Sequence, residues 1–172
     1  MLSLDRVTQW DLRICRWVNR TCRRGIWRFL FRSVSVLGDG IAWYALMAFL
    51  LVMDREAAVV PVLHMIGVGL TCTFLYKALK SGTSRPRPYQ AHAGIEHFAA
   101  PLDQFSFPSG HTLHAVAFTM VALSHYPALA VLLIPFTLLV AVSRVALGLH
   151  YPSDVMAGAM LGAMVAAVAM QL

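Results

Sequence analysis

Residues 108–154 read PSGHTLHAVAFTMVALSHYPALAVLLIPFTLLVAVSRVALGLHYPSD. Two apolar blocks lie inside this stretch, one from about Ser109 to His125 and one restarted by Pro127 and ending near Ser143. Each is close to the length of about 20 residues that carries a helix across a bilayer core. Polar residues gather only at the outer ends: Pro108-Ser109-Gly110-His111 opens the first block, and Ser143-Arg144 with His150 and Asp154 follows the second. Two antiparallel membrane helices return both ends to one side, so this stretch predicts a helical membrane protein with a polar cluster at one end of its bundle.

Working outward, residues 155–172 form a further apolar span, in which Gly158, Gly162 and many alanines allow close helix approach. Upstream, residues 57–76 and 40–53 are apolar, the latter short unless it borrows residues 34–39, and the polar turn 54–56 separates them. Five crossings result, several of them slightly short. Pro135 lies inside the fourth and is expected to kink it. Asp39, between Gly38 and Gly40, reads as a cap of the first spanning helix.

Residues 3–24 read as an amphipathic helix. Val7, Trp10, Ile14, Trp17 and Val18 recur at helical spacing, opposite a row of Arg6, Arg13 and Arg20 helped by Arg16 and Arg23. A tryptophan face opposite an arginine face suits a helix lying in the headgroup plane; the alternative is a helix docked on protein. Residues 25–38 have the same interfacial character, with Trp27, Phe29, Leu30 and Phe31 broken by Arg28 and Arg32. The domain reading is an N-terminal interfacial segment, residues 1–38, and a membrane-embedded domain, residues 39–172. The fold class is all-α: an integral membrane bundle of about five transmembrane helices plus an N-terminal amphipathic interfacial helix.

Composition supports this. Hydrophobic residues make up 59% of the 172 and charged residues 13%, and the formal net charge is +6. A basic surface suits nucleic acid, anionic headgroups or a phosphate substrate. The chain between the basic clusters is too apolar for nucleic acid. The three cysteines, Cys15, Cys22 and Cys72, have no metal spacing and read as small apolar residues on membrane helices. No cleavable signal peptide is expected, because charges stand where its apolar stretch should be.

Three polar clusters carry the chemistry: Lys80-Ser-Gly-Thr-Ser-Arg85-Pro86-Arg87-Pro88, Pro108–His111, and Ser143-Arg144 with His150 and Asp154. Helix alternation places all three on one side of the membrane. Lys80, Arg87 and Arg144 then make an anion site, with forked guanidinium donors matched to phosphate oxygens. Ser109 suits an N-cap and leaves the Gly110 and His111 amides free to face an anion. Asp154, in the first turn after Pro152, can reach back to one nitrogen of His150 and leave the other as a nucleophile.

These clusters resemble the three signatures of the type 2 phosphatidic acid phosphatase superfamily, the lipid phosphate phosphatases. The pattern is K-x6-R-P, P-S-G-H and S-R-x5-H-x3-D. Lys80 with Arg87-Pro88, Pro108–His111, and Ser143-Arg144 with His150 and Asp154 fill every fixed position. The usual family core has six spanning helices; here the first is replaced by the surface helix. The resemblance implies that His150 attacks phosphorus and forms a phosphohistidine, with Asp154 orienting it. It implies that His111 protonates the leaving oxygen and then activates water, and that Lys80, Arg87, Arg144, Ser109 and Gly110 hold the phosphoryl oxygens. It implies no cofactor and no metal, and a phosphorylated lipid of the bilayer as substrate. Undecaprenyl diphosphate, a frequent role of small bacterial relatives, and phosphatidylglycerophosphate are candidates, beside phosphatidate and other polyprenyl phosphates.

Other readings stand beside this one. A vanadate-dependent haloperoxidase shares the anion site, but those enzymes are soluble and longer. A non-enzymatic phospholipid binder or transporter would not need both His111 and His150. Arg85 is either a fourth phosphate ligand or loop charge. His114 could pair with His111 on zinc, but neighbouring lysine and arginine disfavour that. His64 reads as a packed, hydrogen-bonded histidine, and His92, Glu96, His97 and Asp103 as solvated loop. For localisation we expect the bacterial inner membrane. Bacterial relatives face their site to the periplasm. With five crossings, though, eight arginines before residue 33 share the side of the site. The positive-inside rule therefore predicts a cytoplasmic site.

Overall fold

Where the helices of this chain stop is written in residues that cannot continue them. The computed structural model describes residues 2–101 and 103–171, residues 2–5 by backbone alone. The helices are α1 (Leu2–Asn19), α2 (Gly25–Val36), α3 (Ala42–Asp54), α4 (Val59–Thr83), the short α5 (Pro88–Ala91), α6 (Gly110–His125), α7 (Ala130–Ala146) and α8 (Pro152–Ala169). Helix α4 ends where Ser84 turns left-handed at φ 44° and two X-Pro pairs follow, since a residue before proline is pushed out of helical geometry. Helix α8 starts at Pro152, whose fixed φ suits a first helical position.

The five crossings are α3, α4, α6, α7 and α8, as expected. Their outer faces are apolar and exposed, with Phe49, Leu63, Phe74, Val131, Leu138, Met160 and Val168 among the residues a soluble protein would bury. The protein is all-α and an integral membrane protein. At the centre, α6 carries the core, with Leu113, Ala117 and Val121 inaccessible to solvent. It packs most closely on α8: a Cβ added at Gly158 would lie 2.5 Å from the Ser109 carbonyl oxygen, and one at Gly162 2.3 Å from that of Leu113. Pro135 lies inside α7.

Two features differ from the sequence reading. Helix α2 is not interfacial over its length. Its Phe31, Val34 and Ser35 are buried, it packs along α7, and it runs on into α3 through a kink at Leu37–Ile41. The first crossing is therefore longer than residues 40–53; of the arginines that argued against insertion, Arg28 is half-buried and donates to the Cys22 carbonyl at 3.0 Å, and Arg32 is exposed. Asp39 caps no helix. It sits in the kink at φ −81°, ψ 16°, followed by Gly40 at φ 129°, a conformation that needs glycine.

Helix α1 presents its tryptophan and arginine faces outward, with Trp10 and Trp17 exposed, and docks on the bundle through a third, narrow stripe. That stripe is Asp11, Cys15, Asn19 and, in the turn beyond the helix, Cys22, all buried. Asn19 donates to the carbonyls of Ala146 and Glu96 at 2.9 and 2.8 Å and accepts from the Glu96 amide at 3.0 Å. The helix thus docks on protein, while its tryptophan and arginine faces are left exposed. Cys15 and Cys22 belong to this surface segment and only Cys72 to a spanning helix.

Candidate active site

The end of the bundle that carries α1 also holds the loops after α4, before α6 and between α7 and α8. A cavity of about 320 Å³ opens there, walled by Lys80, Arg87, Gly110, His111, Arg144 and His150. Six of the eight residues singled out in the sequence thus share one wall. Ser109 and Asp154 stand behind it. The Ser109 hydroxyl bonds Thr112 at 3.0 Å, and its amide donates to the Asp154 backbone carbonyl at 3.1 Å, hitching the starts of α6 and α8 together.

His150 is positioned by its turn. Leu149 and His150 amides both donate to the Arg144 carbonyl at 3.1 Å, and Gly148 allows the bend with φ 76°. A side chain at Gly148 would put its Cβ 2.4 Å from the Glu96 carbonyl oxygen, so no other residue fits. The imidazole is 2% exposed. Its Nδ1 lies 2.6 Å from the Ser106 backbone carbonyl and 3.9 Å from Asp154 Oδ2. The group that fixes the tautomer is therefore the Ser106 carbonyl, which accepts from Nδ1–H. Asp154 instead accepts from the Tyr151 amide at 2.8 Å and from Arg85 at 2.5 Å, so it holds the turn rather than the ring. The other ring nitrogen, Nε2, faces the cations, 3.3 Å from Arg87 Nη1. Burial first, then Arg144, Arg87 and Lys80, hold His150 well below the ordinary imidazole range and keep Nε2 unprotonated.

The cations are differently occupied. Lys80 Nζ reaches both Asp103 oxygens at 2.5 Å, and Arg87 Nη2 reaches Oδ1 at 2.7 Å, so Asp103 sits on two of the three. Arg87 also donates to the Leu149 carbonyl at 2.8 Å. Arg144 is 3% exposed, bonds Ser35 Oγ through Nη1, and leaves its Nε with no partner among the described residues. A buried guanidinium N–H left unpaired is unfavourable by about 1–3 kcal/mol unless a ligand completes it. Helix α6 begins at Gly110, so the amides of its first turn have no intrahelical acceptor and add to the anion site.

Arg85 is not in the wall. It bridges Asp154 and Asp11 at 2.5 and 2.8 Å and lies 4.0 Å above the Tyr151 ring, a clamp between α1 and the turn of His150. Asp11 also accepts from the Ser153 amide at 2.9 Å. His114 has both ring nitrogens in protein bonds, to the Gly110 carbonyl at 2.8 Å and Thr73 Oγ1 at 3.0 Å. His64 lies 3.4 Å from His125 at the far end of the bundle. Of the loop residues read as solvated, Asp103 holds the cations and Glu96 pairs with Arg23 at 3.2 Å.

Sequence reasoning missed Asp39, Asp11, Ser106 and Asp103. Asp39 lines the cavity with its Oδ1 3.4 Å from His111 Nε2. Below this polar end the cavity is apolar, walled by Tyr44 and Met47 of α3 and by Met65, Ile66 and Leu70 of α4. Tyr44, Ile66 and Leu70 also lie exposed on the outer surface, so the cavity reaches the lipid-facing side between α3 and α4.

This geometry, a histidine nitrogen facing three buried cations at the end of a membrane bundle, agrees with the sequence profile that residues 57–172 match, that of the PAP2 superfamily. The chain belongs to the PAP2 superfamily. A lipid A 1-phosphatase from Rhizobium johnstonii is 31% identical over 143 residues, 78% of this chain and 57% of that protein. A decaprenylphosphoryl-5-phosphoribose phosphatase from Mycobacterium tuberculosis is 45% identical over 92 residues, 52% of this chain and 49% of that protein. The chain spans about half the length of the curated relatives it matches. Among solved structures, Aquifex aeolicus LpxE superposes with TM-score 0.81 at 28% identity, covering 94% of both chains. The Bacillus subtilis PAP2-type phosphatidylglycerolphosphate phosphatase superposes with TM-score 0.74 at 23% identity, covering 96% of this chain and 85% of that one, and shares the PAP2 fold.

Proposed function

We propose that this PAP2 chain is a metal-independent lipid phosphatase that works through a phosphohistidine. The observation that carries the reading is the buried, unpaired Arg144 Nε in a cavity where His150 Nε2 faces the cations, with Arg87 Nη1 3.3 Å away. The Nε2 lone pair attacks phosphorus, and the bond to the ester oxygen breaks toward the leaving group, which takes a proton from His111. Water then attacks the phosphohistidine, gives its proton to His111, and returns the N–P electron pair to His150 as phosphate leaves. Lys80, Arg87, Arg144 and the Gly110 amide hold the equatorial oxygens as charge builds. Asp154, through the turn it caps, and Ser109, through its hitch to α8, keep the two histidines in place.

The lipid would approach sideways, its tail between α3 and α4 and its phosphate at the polar end. Undecaprenyl diphosphate and phosphatidylglycerophosphate both fit that description, and the names of the relatives add phosphorylated lipid A and phosphorylated polyprenyl ribose. We further assign residues 39–172 as the phosphatase unit, residues 1–38 as the segment joining it to the membrane surface, and the cytoplasmic face of a bacterial inner membrane as the side of the site. The deciding experiment is phosphate release by the purified chain in mixed micelles across these lipids. Wild type should release phosphate from at least one, and His150→Ala should lose about three orders of magnitude. His111→Ala should accumulate an acid-labile phosphoenzyme on a substrate with a good leaving group. Near-normal turnover by His150→Ala would sink the mechanism.

A further inference from the structure

A carboxylate at membrane depth is unfavourable, and the chain goes to some length to keep one. Asp39 stands between two glycines that the kink requires. A Cβ on Gly38 would lie 2.8 Å from Val140 Cγ2, and Gly40 adopts φ 129°. The kink breaks the helix between α2 and α3 at the level of the cavity and turns Asp39 into it, with the side chain 44% exposed. Asp103 satisfies Lys80 and Arg87, but no cation hydrogen-bonds Asp39 among the described residues, and its near neighbour is His111 Nε2 at 3.4 Å.

That position is informative because the reading of the site gives each side of the cavity a role. The cations surround His150 Nε2, where the transferred phosphoryl group sits. His111 protonates the oxygen that leaves. Asp39, which lines the same cavity 3.4 Å from that imidazole, therefore stands beside the leaving group.

We propose that Asp39 sets substrate class: it selects phosphomonoesters whose leaving group is neutral and carries hydroxyls, such as a lipid-linked sugar or glycerol, and rejects diphosphates. This rests on the phosphatase reading above. When a monoester is cleaved, the leaving oxygen belongs to an uncharged alcohol, and neighbouring hydroxyls donate to the carboxylate. When a diphosphate is cleaved, the leaving group is itself a phosphate anion, held within a few ångströms of a second anion. Like-charge contacts of this kind discriminate between substrates by raising the free energy of the unwanted complex.

The test uses three probes with one dodecyl tail: dodecyl glucoside 6-phosphate, dodecyl phosphate and dodecyl diphosphate, each assayed for phosphate release in mixed micelles. Wild type is expected to rank them in that order by kcat/KM, with the diphosphate lowest by about tenfold or more. Asp39→Asn, which keeps the shape and removes the charge, should raise the diphosphate-to-monophosphate ratio by about tenfold. Asp39→Glu should keep the wild-type preference. A uniform fall on all three probes with the ratio unchanged would show that Asp39 only holds His111 and overturn the selectivity, as would a wild-type preference for the diphosphate. No phosphate from any probe with wild-type enzyme overturns the phosphatase reading itself and the selectivity with it; release with an unmoved ratio overturns the selectivity alone.

Discussion

Asp103 shows what single residues contribute. Its carboxylate bridges Lys80 and Arg87, so the cavity carries its own counter-ion, and a phosphate must displace it. Asp103→Asn keeps the side chain's shape and weakens its hold on both cations. The inhibition constant of inorganic phosphate or vanadate should fall about tenfold, equivalent to about 1.4 kcal/mol, as measured by inhibition of phosphate release. An unchanged constant would mean that the carboxylate does not compete with the anion. Because the cations supply the positive charge, activity should survive excess EDTA; loss with EDTA and recovery with zinc or magnesium would reject the mechanism. His150 also carries a stability signature. Its folded-state pKa lies below the unfolded value of about 6.5, so the unfolded chain binds more protons. Stability should therefore hold above that pH and fall as the pH drops through it. Melting temperatures of wild type and His150→Asn between pH 7 and 4.5 should converge as the pH falls. Lys80, Arg87, His111, Arg144 and His150 were legible in the sequence because their chemistry is in their residue types and spacing. Ser106 was not, since it acts through a backbone carbonyl that every residue owns. Asp39 and Asp103 were visible, but only the fold says which partner each carboxylate meets.

Among the elements, α1 is the one whose docking the sequence hid. The periodicity of Trp10, Ile14 and Trp17 against Arg6, Arg13 and Arg20 is strong, and it describes the two faces that meet solvent or lipid. The face that meets protein is narrow and alternates Asp11 and Asn19 with small cysteines, which gives little hydropathy signal. Asp11→Ala should leave the Ser153 amide without its acceptor and Arg85 with Asp154 as its one remaining carboxylate, and destabilise the protein by about 1–3 kcal/mol. Turnover should fall too, because Arg85 ties the same clamp to the turn of His150. Thermal melting and phosphate release together check this, and a wild-type result in both would show the clamp to be idle. The close packing of α8 was legible, since Gly158 and Gly162 four residues apart are a packing signal in membranes, but its partner α6 was not. Gly162→Val should overpack against the Leu113 carbonyl, a backbone atom that cannot swing aside, and lower stability by about 1–3 kcal/mol. The length of the first crossing was not legible, because a one-dimensional count of arginines cannot tell that Arg28 folds back onto the Cys22 carbonyl and the Phe98 ring.

For the whole molecule, the docking of α1 bears on sidedness. Asp11, Cys15 and Asn19 contact the turn between α7 and α8, so the arginine-rich helix shares the side of the site. The other end presents Arg55 beside Asp54 and Glu56. Weighed by lysine and arginine, this distribution supports the cytoplasmic side proposed for the site. The three native cysteines are fully buried, so Ala93→Cys on the exposed loop gives a single reactive thiol. It should resist an impermeant maleimide on intact cells and label once they are permeabilised; labelling of intact cells would reverse the orientation.

One bond has a wider consequence. The Ser109 amide and the Asp154 carbonyl join the helix starts next to the two histidines through main chain alone, and Gly158 seats α8 against the carbonyl of that same residue, Ser109. Replacing the Ser109 or Asp154 side chain leaves the atoms of that bond in place, while the surfaces that greet the lipid tail belong to other helices, α3 and α4. Tyr44, Met47, Ile66 and Leu70 can therefore be exchanged without disturbing how far apart the histidines stand. The protein separates a part that must be inherited unchanged from a part free to drift, and new lipid preferences can arise in the second while the reaction is kept by the first.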